Sequence, residues 1–162
     1  MVSLDVTAVD HIYVAVADLD RSIAFYDPVM RLLGFRKGTK PIGGERHVHY
    51  FNRVTQYTLR PAHGTRTSHD PYRAGAVHHI CFRVGTRQDV DAAARDLRDL
   101  GVEASEPRLY PEYAPDYYAT FFADPDGIHL EVVAHRLLRS LVCDHWDELT
   151  EFEDPLMKAG LV

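Results

Sequence analysis

The stretch DHIYVAV at residues 10–16 returns as HHICFRV at residues 78–84. Each copy precedes a segment with helical spacing that ends in Leu-Gly, at residues 33–34 and at residues 100–101. The interval from the strand histidine to the glycine is 23 residues in the first copy and 22 in the second. A repeat of this length indicates one supersecondary unit used twice. Both copies place a His at the same strand position, which predicts a metal site at the centre of the repeat.

The composition is that of a water-soluble globular protein. The chain has 162 residues and 18.4 kDa, with 46% apolar and 26% charged residues, which fits one domain or two small modules that share a core. A net charge of -6 argues against a nucleic-acid partner, and no apolar run is long enough to predict a membrane span. Two cysteines make no disulfide framework, so we expect a cytoplasmic protein.

Apolar periodicity predicts the order βαβββ in each half of the chain. In the first half the strands and the helix are expected at residues 9–16, 19–33, 35–40, 47–52 and 55–60. In the second half they are expected at residues 77–84, 86–100, 102–104, 118–123 and 128–134. The paired modules, at about residues 9–62 and 76–134, would form one domain over residues 1–136, followed by a C-terminal helical extension over residues 137–162.

Three local signals carry further expectations. Pro28 lies inside the first helical pattern, which predicts a kink or a break into two short helices. Thr86 and Asp89 are both candidate caps for the second helix. The sequence Asp-Pro-Asp-Gly at residues 124–127 predicts a tight turn between the last two strands.

Strand alternation places His11, His79 and Glu131 on one face of the sheet, opposite the isoleucine-rich face that the helices cover. Two imidazoles and a carboxylate suit a divalent first-row metal with open coordination positions. We therefore predict these three residues as metal ligands. His78 lies next to His79 but points to the other face, which favours a structural role.

Other polar residues near this face have two interpretations each. Cys81 is either a fourth, soft ligand or a small buried strand residue, and we favour the second. His47 and His49 share a face of the third strand, where they either line the cavity or face solvent.

Five segments of the sequence resemble the vicinal oxygen chelate superfamily. That superfamily includes glyoxalase I, the fosfomycin-resistance thiol transferases, methylmalonyl-CoA epimerase, the extradiol dioxygenases and the bleomycin-binding proteins. The resemblance covers residues 9–134 and rests on the segments HIYVAV, SIAFY, LGF, HHICFRV and DPDGIHLEV.

The resemblance implies an α+β fold, in which two βαβββ modules form a cup-shaped mixed sheet with helices on the outside, in a homodimer. It implies one divalent metal ion (Zn, Ni, Mn or Fe), with His11, His79 and Glu131 at the first, third and fourth ligand positions of the family. The second position aligns with Thr58, with Gln56 on the same face. The absence of a carboxylate there argues against glyoxalase I activity.

The function implied is metal-dependent chemistry on a small molecule that chelates through two neighbouring oxygens, in a lyase, isomerase, transferase or dioxygenase. Tyr13 and Thr58 are the candidate acid/base or hydrogen-bonding groups. The candidate substrate-binding residues are His49, Tyr113, Tyr117 and Phe121. The alternative is a drug- or metabolite-binding resistance protein of the bleomycin-binding type, which does no catalysis.

Overall fold

The computed structural model describes residues 6–64, 69–144 and 146. Their contacts divide them into two compact units. The first unit contains the described residues up to His78 together with Ala123–His129. The second contains His79–Phe122 and the described residues from Leu130 onward.

The first unit contains the elements β1 (His11–Val16), α1 (Leu19–Leu32), β2 (Arg36–Ile42), β3 (Glu45–Phe51) and β4 (Gln56–Pro61). They form a four-stranded sheet in the order β1-β4-β3-β2. In this sheet β1 runs parallel to β4, and the β2–β3 and β3–β4 pairs are antiparallel. The first predicted βαβββ module is therefore confirmed.

The second module follows the same order, with β5 (His79–Val84), α2 (Arg87–Asp99), β6 (Arg108–Leu109), β7 (Tyr118–Ala123) and β8 (His129–Ala134). Its strands form a sheet in the order β5-β8-β7-β6, which repeats the topology of the first sheet. The chain is thus an α+β protein with two equivalent sheets, as the repeat predicted.

The repeated Leu-Gly pairs end the two helices in the same way. Gly34 has a φ of +82° and Gly101 a φ of +80°, a region that favours glycine. After α1, the Gly34 amide donates to the Arg31 carbonyl and the Phe35 amide to the Met30 carbonyl. Equivalent bonds close α2 at Gly101. This double bonding is the Schellman motif, so the sequence repeat is a repeat of helix ends.

Helix α1 continues through Pro28, so the predicted break into two short helices is wrong. Tyr26 precedes the proline, Val29 and Met30 follow it, and all three side chains are buried. The free energy gained by burying side chains before and after Pro28 offsets the loss of one backbone hydrogen bond at the proline. Of the two candidate caps for α2, Thr86 is the N-cap, and Asp89 completes a capping box with it.

The strand expected at residues 102–104 is absent, and the short strand β6 lies at Arg108–Leu109 instead. The Ser105 amide donates to the Phe121 carbonyl, while the regular ladder begins only at Arg108, opposite Ala119. Pro107 has no N–H to donate between these points, which explains why pairing starts late.

The C-terminal extension begins with the helix α3 (Leu137–Asp144), in which Leu138 is buried. Trp146 is exposed. The rest of the predicted extension, residue 145 and residues 147–162, lies outside the described residues. No helix in the described part of the chain has the length and hydropathy to cross a membrane.

Candidate functional site

Strand β1 presents His11 and Tyr13 on one face, as alternation predicted. Both residues are exposed, whereas Val14 and Val16 are buried on the opposite face. The His11 Nδ1 lies 2.8 Å from a carboxylate oxygen of Asp10. This contact leaves Nε2 as the His11 nitrogen that could bind a metal, a common arrangement for a metal-binding histidine.

Two histidines of β3 lie beside Tyr13. The Tyr13 ring centroid is 6.1 Å from that of His47 and 6.5 Å from that of His49, both edge to face. The two imidazoles stack on each other and are buried, which excludes the solvent-facing alternative.

His49 belongs to a buried polar network with β4. Its Nδ1 lies 3.0 Å from the Thr58 Oγ1, and the Gln56 Nε2 donates to that same oxygen over 2.7 Å. Burial lowers the pKa of His49, which favours the neutral ring. In a neutral ring Nδ1 can accept a hydrogen bond from the Thr58 hydroxyl, so this hydroxyl orients His49. Thr58 is fully buried, and any effect it has on a ligand would pass through His49.

Glu131, on β8, is the buried carboxylate of the second unit, with 1% exposure. The Tyr117 hydroxyl donates to its Oε1 over 2.6 Å. The His79 Nε2 lies 3.4 Å from its Oε2, which is long for a hydrogen bond. Burial and the carboxylate of Glu131 raise the pKa of Tyr117, so Tyr117 remains a donor.

Cys81 is solvent-exposed, and the expectation of a buried strand residue is therefore wrong. It follows His79 on the same face of β5, an edge strand of its sheet. Partial burial of the sulfur, together with the negative charge of Glu131, raises its pKa, so the thiol is protonated at neutral pH.

The aromatic loop between β6 and β7 contacts the Glu131 carboxylate through Tyr117. The Tyr113 ring meets Tyr117 edge to face at 5.2 Å, and Tyr110 stacks on Tyr113 at 5.9 Å. Tyr110 also contacts Phe121 at 5.1 Å. The predicted substrate-binding residues of this unit thus form one aromatic cluster, with Tyr113 largely exposed.

Two members of this cluster were not predicted from the sequence. Tyr110 joins the predicted aromatics, and the Arg136 guanidinium lies 5.1 Å from the ring centroid of Tyr117. Arg136 follows the end of β8, where strand alternation gives no information. The aromatic run at residues 110–118 was the available signal for Tyr110.

The donor chemistry of Glu131 and His79 fits a divalent metal. Two ligands bound to one ion at about 2.1 Å are themselves roughly 3.0–3.4 Å apart, and the observed separation is 3.4 Å. No group of three or more His, Cys, Asp or Glu side chains within the described residues is arranged to hold a metal ion. The structure therefore brings together two of the three predicted ligands, while His11 belongs to the other unit.

A family model for the glyoxalase/bleomycin resistance protein/dioxygenase superfamily matches residues 8–132. Among solved structures, a glyoxylase/bleomycin resistance protein/dioxygenase domain from Frankia sp. EAN1pec is 22% identical, with a TM-score of 0.67, over 82% of this chain and 100% of that one. The lactoylglutathione lyase from Agrobacterium tumefaciens is 21% identical, with a TM-score of 0.58, over 79% and 93%.

A third similar structure is a variant of the fosfomycin resistance protein FosX from Listeria monocytogenes, complexed with Mn(II) and 1S,2S-dihydroxypropylphosphonic acid. It is 18% identical, with a TM-score of 0.61, over 85% of this chain and 98% of that one. At such identities the likeness concerns the fold. A comparison with curated proteins finds no significant match.

Proposed function

The chain belongs to the glyoxalase/bleomycin resistance protein/dioxygenase superfamily, and we propose that it is a divalent-metal-dependent enzyme. Its substrate would be a small molecule that chelates the metal through two neighbouring oxygens. The reaction would be that of a lyase, isomerase, transferase or dioxygenase. We also propose a cytoplasmic homodimer, in keeping with the resemblance.

The observation that carries this proposal is the pair formed by Glu131 and His79. A fully buried carboxylate needs strong compensation, and Glu131 receives one short hydrogen bond, from the Tyr117 hydroxyl, and one from the Cys81 thiol, which is a weak donor. Its Oε2 faces an imidazole nitrogen at 3.4 Å. A cation between these two atoms would compensate the charge, and His11 is the third ligand of the proposal.

The bound metal would supply Lewis-acid stabilisation of negative charge that develops on a substrate oxygen. Zn, Ni, Mn and Fe all accept two histidines and a glutamate. The structure of the FosX variant contains Mn(II), which makes manganese the first ion to test.

The remaining residues would bind and orient the substrate. Tyr117 holds Glu131 in place through its hydroxyl, and Tyr113 and Phe121 would supply an aromatic wall. In the first unit, Tyr13 is exposed and is the proposed acid/base or hydrogen-bonding group, while Thr58 acts by orienting His49.

The test is the metal content of the purified protein, measured by mass spectrometry before and after reconstitution with Mn, Fe, Ni and Zn. We expect about one ion per chain in the wild type and its loss in His79→Ala. His78→Ala is the matched control, because His78 is the adjacent residue and its ring contacts Tyr72 and His129. Equal metal content in all three proteins would contradict the ligand assignment, and no metal in any of them would contradict metal dependence.

A second candidate function is sequestration of an aromatic drug or metabolite, of the bleomycin-binding type. The observation that favours it is the stack of exposed Tyr113 on Tyr110, with the Arg108 guanidinium 3.8 Å from the Tyr110 ring centroid. Such a protein would bind its ligand equally well in the presence of a chelator, whereas the proposed enzyme would lose turnover under the same conditions.

A further inference from the structure

A cleft of about 660 Å³ lies in the first unit, at one end of its sheet. It is lined by the turn after α1, the start of β2, the end of β3 and the β3–β4 connection: Gly34, Arg36, Phe51, Asn52, Arg53 and Val54. This volume is in the range of small-molecule sites. None of these residues belongs to the ligand set proposed above.

The cleft contains two guanidinium groups, of Arg36 and Arg53, that have no carboxylate partner in the part of the chain that the structure describes. Of the fourteen arginines in the described residues, six form an ion pair with Asp or Glu. Arg36 and Arg53 are among the eight that do not, and they lie in the same cleft. Two arginines without acidic partners in one cleft leave an excess of positive charge there, which attracts anions.

Phe51 and Val54 are the apolar side chains of the lining. Phe51 is 44% exposed and Val54 is 70% exposed, so both side chains present apolar surface to a ligand in the cleft. Arg36 and Phe51 are directly paired residues of β2 and β3, so their side chains lie on the same face of the sheet. A ligand for this cleft therefore combines an anionic group with an apolar body.

The backbone around the cleft is held in place without a ligand. The Asn52 Oδ1 accepts hydrogen bonds from the amides of Val54 and Thr55, both at 2.8 Å, which fixes the β3–β4 connection. On the other side of the cleft, the hydrogen bonds of the Schellman motif fix the backbone at Gly34. The space beside the Gly34 Cα is open. A preformed cleft binds at a lower entropic cost than a mobile loop does.

We propose that this cleft is a second binding site, for a small organic anion whose carboxylate or phosphate lies between Arg36 and Arg53 and whose apolar body packs on Phe51 and Val54. Arginine forms two parallel hydrogen bonds to either oxyanion, so both chemistries fit. The site needs no metal and stands independently of the function proposed above.

The experiment is an NMR titration of the ¹⁵N-labelled full chain with benzoate and phenyl phosphate. Benzamide serves as the uncharged probe and acetate as the anion without an apolar body. We expect saturable amide shifts at Gly34, Arg36 and residues 52–54 with the two aromatic anions. Benzamide and acetate should bind at least about tenfold more weakly. A preference between the two anions assigns the cleft to carboxylates or to phosphates.

Arg36→Gln and Arg53→Gln are each expected to weaken benzoate binding about tenfold. Arg73→Gln, which removes an exposed arginine elsewhere in the same unit, is the matched control and should change it less than about twofold. His79→Ala and added chelator should leave the affinity unchanged. The proposal is overturned if neither anion binds saturably, if benzamide binds as well as benzoate, or if the Arg73 variant loses as much affinity as the cleft variants.

Discussion

Thr58 in the first unit and Glu131 in the second occupy the same place in the repeat. Each is the third residue of its strand, β4 or β8, and each strand neighbours the one that begins with a repeated histidine. Both side chains are buried, at 0% and 1% exposure. Thr58 is neutral and hydrogen-bonded to Gln56 and His49, whereas the charged Glu131 accepts from the Tyr117 hydroxyl and the Cys81 thiol and lies 3.4 Å from the His79 imidazole.

This difference shows how a duplicated fold can become chemically asymmetric. Both units have the same strand order and a histidine at the start of a strand, but the first has a hydroxyl where the second has a carboxylate. We call the first unit the neutral copy and the second the charged copy. The neutral copy completes the hydrogen bonds of this position internally, and the capacity to bind a cation is proposed for the charged copy. The predictions below test whether the side chain at the position of Thr58 and Glu131, more than the rest of the unit, determines the capacity to bind a cation.

The largest expected effect is that of Glu131→Gln. Glutamine has the same size and can still accept from the Tyr117 hydroxyl, so the variant removes the charge with little change in packing. We expect metal affinity to fall by at least about 100-fold, measured by competition with a chelating dye. Undiminished affinity, with the fold intact by circular dichroism, would show that this carboxylate is not a ligand.

The reverse exchange, Thr58→Glu, should cost the metal-free protein about 2 kcal/mol in the free energy of unfolding, because it places a charge at a fully buried position. Urea denaturation measures this cost. Thr58→Val is the control that removes only the hydroxyl, at about 1 kcal/mol. If the glutamate variant is as stable as the valine variant, the first unit tolerates a carboxylate as well as the second does.

Much of the fold was predictable because its signals are local. The repeated Leu-Gly pairs correspond to two Schellman motifs, and these depend only on residues within a few positions of Gly34 and Gly101. The alternation of exposed residues with buried or partly buried ones in β1 and β5 was likewise readable from the sequence. The family resemblance at residues 9–134 agrees with the family match at residues 8–132.

What was not predictable depends on contacts between distant residues. The continuity of α1 through Pro28 depends on how its buried residues pack, which has no local signature. The hydrogen bond from Tyr117 to Glu131 joins residues 14 positions apart in sequence, and only the fold shows that they meet.

Tyr117→Phe should have a moderate effect on the metal affinity of the charged copy. It removes the donor to the Glu131 Oε1 but leaves the aromatic packing unchanged, and such hydrogen bonds typically contribute about tenfold to metal affinity. Tyr118→Phe is the matched control, since the hydroxyl of this adjacent tyrosine donates to the exposed Asp91 instead. Equal affinity in the two variants would mean that the hydrogen bond does not support the ligand.

The smallest expected effect concerns the neutral copy and its dependence on pH. Burial lowers the pKa of His49 in the folded state, whereas the unfolded chain has the ordinary value of about 6.5. Between these two values the unfolded state binds more protons than the folded state. The contribution of His49 to the free energy of unfolding is therefore complete above the pKa of the unfolded state and is lost as the pH falls toward the pKa of the folded state.

The urea midpoint should accordingly fall more between pH 7.5 and pH 5.5 in the wild type than in His49→Gln. His135→Gln, which removes an exposed histidine hydrogen-bonded to Ser140, should retain the wild-type dependence. If the urea midpoint of His49→Gln depends on pH as strongly as that of the wild type, another titratable group is responsible for the dependence. In that case burial does not hold His49 neutral in the folded state.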